Sequence, residues 1–207
     1  MQCGPAGGSG ASGVPVLIGV DEAGRGPLAG PVCAAAVALP AEVSDWGLAD
    51  SKKLSARRRE SLANRIQSEA RAWGIGWASV GEIDTHNILQ ATLIAMHRAV
   101  MDCVRRLGHI EPIRIDGSIH PARHLKTLDW PWPTDTLVGG DALCAEISAA
   151  SILAKTARDR EMRRLDLVYP GYGFAQHAGY PTAAHREAIR TLGPSPAHRA
   201  SFQLLKA

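Results

Sequence analysis

The chain has little that would tie it to a membrane, an oxidising compartment or a zinc ion. No apolar run in its 207 residues approaches the ~20 residues that a spanning helix needs. Its four cysteines (Cys3, Cys33, Cys103 and Cys144) stand far apart and form no C-x-x-C pair. Reduced thiols are therefore expected, rather than a disulfide framework or a cysteine zinc site. Cys33, Cys103 and Cys144 fall in apolar patterns and read as small core fillers. Residues 1–15, MQCGPAGGSGASGVP, have neither a basic n-region nor an apolar h-region. They read as a flexible tail, not a signal peptide. His120 and His124 share i, i+4 spacing, but Pro121 argues against a helix there, and no further ligands complete a zinc set. The loop GRGPLAG lacks the lysine and spacing of a P-loop, and Pro27 blocks the helix that a dinucleotide fingerprint requires. A soluble cytoplasmic protein is expected.

Net charge is only +3, which says little about partners. Its distribution says more. Lys52, Lys53, Arg57, Arg58 and Arg59 form one basic cluster; Lys155, Arg158, Arg160, Arg163 and Arg164 form another. Such runs are ordinarily solvated helix faces and matter only where they flank a site that wants phosphate.

A chain of this length buries ~70% of its unfolded surface, enough for one domain with a real core. Short apolar runs bounded by glycine and proline predict strands over 16–20 and 32–39. Ser55 caps a predicted helix to about Ala72, and 73–80, WGIGWASV, reads as a strand whose glycines imply close backbone approach. Helical spacing of Leu89, Leu93, Met96, Val100, Val104 and Leu107 predicts a helix over 85–107, stopped by Gly108. Two short strands follow, over 113–115 and 136–138. Asp141 then opens a long helix in which Ala149, Ala150, Ala154 and Ala157 make a closely packing face, and a last helix spans about 182–192. This order predicts a mixed α/β sheet with helical cover and a helical C-terminal piece.

Three of the predicted strands end in carboxylates: Asp21 and Glu22, Asp116, and Asp141. Open α/β sheets place their chemistry at such ends. Acids gathered there repel one another unless cations neutralise them, and Mg²⁺ suits a few carboxylates plus phosphate oxygens. Two such ions about 4 Å apart can activate a water and stabilise a leaving oxygen. Asp116-Gly117 alone could be a turn, and Asp141 alone an N-cap. Adjacent acids at Asp21-Glu22 are harder to explain by stability.

The stretch GVDEAGRGPLAGPV resembles the signature of type 2 ribonucleases H, the ribonuclease HII family. Four further stretches match in order: 50-DSKKLS-55, 146-EISAASILAK-155, 172-YGFAQHAGYPT-182 and 196-PAHRASF-202. The resemblance runs from about residue 16 to about 202. It implies a ribonuclease-H-like mixed five-stranded sheet with flanking helices and a small helical C-terminal region, within a domain over 16–207 that becomes helical from about 160. It also implies a metal-dependent endonuclease that cuts the RNA strand of RNA–DNA hybrids, and cuts 5′ of single ribonucleotides in duplex DNA. By the same resemblance, Asp21, Glu22, Asp116 and Asp141 match the catalytic and metal-binding acids, for two Mg²⁺ or Mn²⁺ ions. Gly24, Arg25 and Gly26 match a loop that reads the 2′-hydroxyl, Tyr180 a tyrosine that stacks on the neighbouring sugar, and Lys52 a lysine near the substrate backbone. A monomer with nucleic-acid partners and no membrane partner is expected. Two positions depart from the family pattern: Ser118 stands where asparagine is expected, and Gly139 where lysine is expected. A decayed binding domain and a small-molecule phosphatase are the competing readings. Retention of all four acids opposes the first, and the hydroxyl-reading loop opposes the second.

Overall fold

The computed structural model describes residues 16–43, 46–48 and 54–205. The expected tail and Lys52 lie outside the described residues. The apolar runs flanking the glycine-rich stretch form β1 (Ile18–Ala23) and β2 (Val32–Ala38), paired antiparallel. Next comes α1 (Ala56–Glu69), capped by the Ser55 hydroxyl, and then β3 (Ala72–Ala78), antiparallel to β2. The remainder is α2 (Val80–Leu107), β4 (Ile113–Asp116), α3 (Pro121–His124), β5 (Thr134–Leu137), α4 (Gly140–Leu143), α5 (Ala145–Val168), α6 (Phe174–His177) and α7 (Ala183–Leu192). The sheet order is β3-β2-β1-β4-β5, with β4 parallel to β1 and β5 parallel to β4. The carboxyl ends of β1, β4 and β5 therefore emerge at one edge.

Each face of the sheet carries its own core. Along β2, Ala34, Ala36 and Ala38 pack with Leu93, Met96 and Val100 of α2. The alternate residues Cys33, Ala35 and Val37 pack with Leu62 and Ile66 of α1 and with Ala149 and Leu153 of α5. A strand buried on both faces reads as a continuous apolar run, which is what VCAAAVA is. A Cβ at Gly74 or Gly76 would run into the carbonyl oxygens of Ala99 or Ala95, so α2 lies directly on the backbone of β3. The first turn of α5 likewise rests on Gly19 of β1, where a Cβ would meet the backbone of Glu146 and Ile147. A third, smaller core joins Leu28 and Ala29 to Met162, Phe174, Ile189 and Ala197. It welds the glycine-rich loop to the C-terminal helices.

Several elements differ from expectation, the helices most. The second helix starts at Val80 rather than near Thr85, because Ser79 and Glu82 form a capping box. It is broken at Asn87, whose φ of 69° is left-handed, and the Asn87 side chain then recaps the chain by accepting from Leu89 and Gln90 N–H at 3.0 and 3.1 Å. A short helix does form at Pro121–His124: proline occupies its first turn, where a missing N–H costs nothing. The helix expected to open at Asp141 is two helices. Cys144 is extended, at φ −133° and ψ 121°, which resets the axis so that α5 packs flush on Gly19.

Candidate active site

Asp21 and Glu22 fall within the last three residues of β1, and Asp116 closes β4. The parallel register pairs Val20 with Ile115, so Asp21 and Asp116 follow it on adjacent strands. Asp21 is 7% exposed and is bonded by Ser151 of α5; its carboxylate also accepts from Glu22 N–H at 2.7 Å. Burial first, and then the charges of Glu22 and Asp116, push its carboxyl up to about 8. Burial also raises Glu22, with Asp116 adding to it and Arg25 opposing. Asp116 Oδ1 accepts from Gly140 N–H at 2.7 Å, which ties the end of β4 to the start of α4.

Asp141 lies in α4, just beyond the end of β5. It is 4% exposed and lines a cavity of about 260 Å³ with Val43, Gly47, Leu48 and Ser148. Glu22 and Asp116 instead share a cavity of about 160 Å³ with Arg25, Thr92 and Ser118. Among the described residues, no three His, Cys, Asp and Glu side chains are gathered as one ready metal-holding group. Asp21, Glu22 and Asp116 nonetheless suit a hard divalent cation. All their donors are oxygen, and their mutual repulsion in a buried place is what such a cation relieves. Gly139 takes a left-handed φ of 69° with open space around it, so glycine fits where lysine was expected.

The glycine-rich loop adjoins the acids. Gly24 has φ +103°, and the nearest atom to a Cβ built on Gly26 would be Tyr180 Cε1 at 3.7 Å. The loop and the exposed Tyr180 thus face each other across a cavity of about 430 Å³ that Glu22, Ser151, Arg59 and Lys155 also line. Arg25, expected in the hydroxyl-reading loop, is paired with Glu22 at 3.2 Å. The Tyr180 carbonyl lies 2.9 Å from His185 Nδ1, and His185 Nε2 lies 3.1 Å from His198 Nε2. Both imidazoles are buried, and burial holds His185 down at about 4.

Several supporting residues escaped sequence reasoning. Ser151 carries no signal of its own beyond its place in 146-EISAASILAK-155. Arg158 was counted in a solvated cluster yet is 1% exposed. Its spacing could have revealed it, since Ala154, Arg158 and Met162 recur every four residues on the buried face of α5. Arg199, 0% exposed, had no periodic signal.

The ribonuclease HII family model matches residues 18–205. The ribonuclease HII of Halorhodospira halophila is 55% identical over 186 residues, 90% of this chain and 91% of that protein. That of Nitrosomonas europaea is 57% identical over 188 residues, 90% of this chain and 82% of that one. Among solved structures, the ribonuclease H2 from Pyrococcus horikoshii OT3 superposes with a TM-score of 0.70 at 25% identity, covering 91% of this chain and 94% of that one. The mixed sheet with its flanking helices is a ribonuclease-H-like fold, and the chain belongs to the ribonuclease HII family of ribonuclease H hydrolases.

Proposed function

We propose that this ribonuclease, a metal-dependent endonuclease of RNA–DNA hybrids, also cuts duplex DNA on the 5′ side of a single embedded ribonucleotide, leaving a 5′-phosphate and a 3′-hydroxyl. The observation that carries the reading is the shared wall: Glu22 lines both the acidic cavity with Asp116 and the cavity between the Gly24–Gly26 loop and Tyr180. A sugar read at the loop would therefore sit beside the acids. Asp21, Glu22, Asp116 and Asp141 would hold two Mg²⁺ or Mn²⁺ ions, which when bound supply water activation and stabilisation of the leaving oxygen. The residues of the chain do the rest. Gly24 and Gly26 let the backbone approach a 2′-hydroxyl, which both donates and accepts. Tyr180 offers an exposed ring for the adjacent sugar, and Lys155 and Arg59 supply positive charge beside the strand. Lys52, proposed to lie near the substrate backbone, falls outside the described residues. The three buried free thiols Cys33, Cys103 and Cys144 suit a monomer working in a reducing cytoplasm; no helix among the described residues is long and apolar enough to cross a membrane.

The test is a DNA duplex with one ribonucleotide, incubated with Mg²⁺, with Mn²⁺ and with excess chelator, and the ends sequenced. A single cut 5′ of the ribonucleotide, dependent on metal, is expected. The all-DNA duplex should react at least about 10⁴-fold more slowly, because a site built for a hydroxyl leaves its polar groups unpaired without one. Equal cleavage of the all-DNA duplex, or cleavage in chelator, ends the reading.

A further inference from the structure

Arg199 lies 174 residues along the chain from Arg25, and its guanidinium spends every hydrogen bond on the loop that Arg25 belongs to. Nη2 donates to the Gly24 carbonyl at 2.6 Å, Nη1 to those of Arg25 and Pro27 at 3.0 and 2.7 Å, and Nε to that of Gly30 at 3.0 Å. Arg158 donates to the carbonyls of Ala29 at 3.1 Å, Pro31 at 3.0 Å and Ala178 at 3.0 Å. Arg199 forms no ion pair among the described residues, and the two buried cations repel: burial first, then Arg158, lowers Arg199 to about 9. Burying two guanidiniums on neutral carbonyls is a costly way to make a turn. A turn alone would not need it.

What the clamp fixes is the direction of the peptide groups. In a trans peptide the carbonyl and the next N–H point opposite ways, and no peptide here is cis. With the Gly24 and Arg25 carbonyls turned inward, the N–H groups of Arg25 and Gly26 are turned outward. Other amides of the loop are occupied: Leu28 N–H bonds the Gly179 carbonyl and Gly30 N–H that of Ala197, both at 2.8 Å. Those of Arg25 and Gly26 make no hydrogen bond among the described residues, and both residues line the cavity that Tyr180 closes.

We propose that Arg199 is a positioning residue for substrate selection: by holding the Gly24 and Arg25 carbonyls inward, it aims the Arg25 and Gly26 amides at the sugar hydroxyl of a ribonucleotide. The proposal rests on the ribonucleotide reading above. Arg199 itself touches no substrate. Its own place is set by the Arg199 N–H bond to the Leu28 carbonyl at 2.9 Å, and by Asp84, which accepts from Ala200 and Ser201 N–H at 3.0 and 2.9 Å.

The test compares wild type with Arg199→Lys, which keeps the charge and stem but cannot reach four carbonyls from one ammonium. Affinity is measured by fluorescence anisotropy in excess chelator, so that no strand is cut, for two duplexes identical except for one 2′-hydroxyl. Wild type should prefer the ribonucleotide duplex; in Arg199→Lys that preference should shrink by about tenfold, two hydrogen bonds' worth. Its affinity for the all-DNA duplex should stay within about twofold. A merely structural role lowers both affinities together, in step with the unfolded fraction seen by circular dichroism. That result, or an unchanged preference, overturns the proposal. If Arg199→Lys does not fold, Arg199→Gln at reduced temperature is put to the same comparison and judged by the same two outcomes. A wild-type protein with no preference at all would instead sink the ribonucleotide reading itself, and the role of Arg199 with it.

Discussion

Burial and the charges of Glu22 and Asp116 keep the Asp21 carboxyl near 8 rather than 3.8, so without metal the folded chain holds a proton there that the unfolded chain has lost. The sign follows. Below pH 3.8 both states are protonated and the stability is fully present. It is lost as pH rises toward about 8, where the fold must ionise a buried acid among acids, and it stays low above that. The loss is on the order of a few kcal/mol, given ~1.4 kcal/mol per pKa unit. Asp21→Asn removes this penalty and also a charge of the proposed metal site. In chelator at pH 8.5 its thermal midpoint should exceed that of wild type by at least ~3 °C, the shift that about 1 kcal/mol gives a domain of this size. With Mg²⁺ its cleavage rate should fall at least ~100-fold. A midpoint no higher than wild type at pH 8.5 would mean that Asp21 is not held protonated. With Asp21 a metal ligand as proposed, a divalent cation would displace this proton, so metal affinity should rise over the same pH window.

Among the elements, β3 and α5 were the most legible, and for one reason: small residues at regular spacing announce a backbone approached closely. Gly74 and Gly76 alternate along β3 and lie beneath α2, while the alanines of α5 repeat on the helical period and pack with Cys33, Ala35 and Val37 of β2. Gly76→Ala should therefore destabilise the fold by about 2–3 kcal/mol, because the added methyl meets the Ala95 carbonyl, which belongs to a helix and cannot yield. Gly117, left-handed but with nothing within 4 Å of a built Cβ, should cost only about 1 kcal/mol as alanine, through backbone strain alone. Urea unfolding of both variants checks the contrast; equal losses would show that α2 gives way. Less legible were the breaks at Asn87 and Cys144. Each is decided by where a helix must lie on the sheet rather than by a strong local signal. Proline in the first turn of α3 misled for the opposite reason, its prohibition applying only to helix interiors.

At the scale of the whole molecule, the nearness of Asp21, Glu22 and Asp116 was readable because strand ends are local, while the frame that holds the loop was not. Arg199 and His198 meet residues 24–30 only after the chain has folded, and the motif 196-PAHRASF-202 carries no pattern that reports burial. Charge behaves in the same way. A net charge of +3 would draw a polyanion weakly, so attraction must come from particular cations placed beside the cleft. Lys155 qualifies: it lines the cavity with Glu22 and Tyr180, and its ion pair with Asp159 at 2.5 Å is partly exposed, leaving donors for a phosphate. Arg105 does not. It pairs with Asp102 at 2.5 Å on α2, thirteen residues beyond the Thr92 that lines the acidic cavity, about 20 Å along a helix. Binding of an RNA–DNA hybrid in chelator should weaken as salt rises. Lys155→Ala should reduce the slope of log affinity against log salt by about one, and Arg105→Ala should leave it unchanged. Equal slopes for wild type and Lys155→Ala would make Lys155 a solvated partner of Asp159 and move the strand's path away from this cavity. Equal reductions in both variants would mean that the polymer feels the molecule's overall charge rather than a groove.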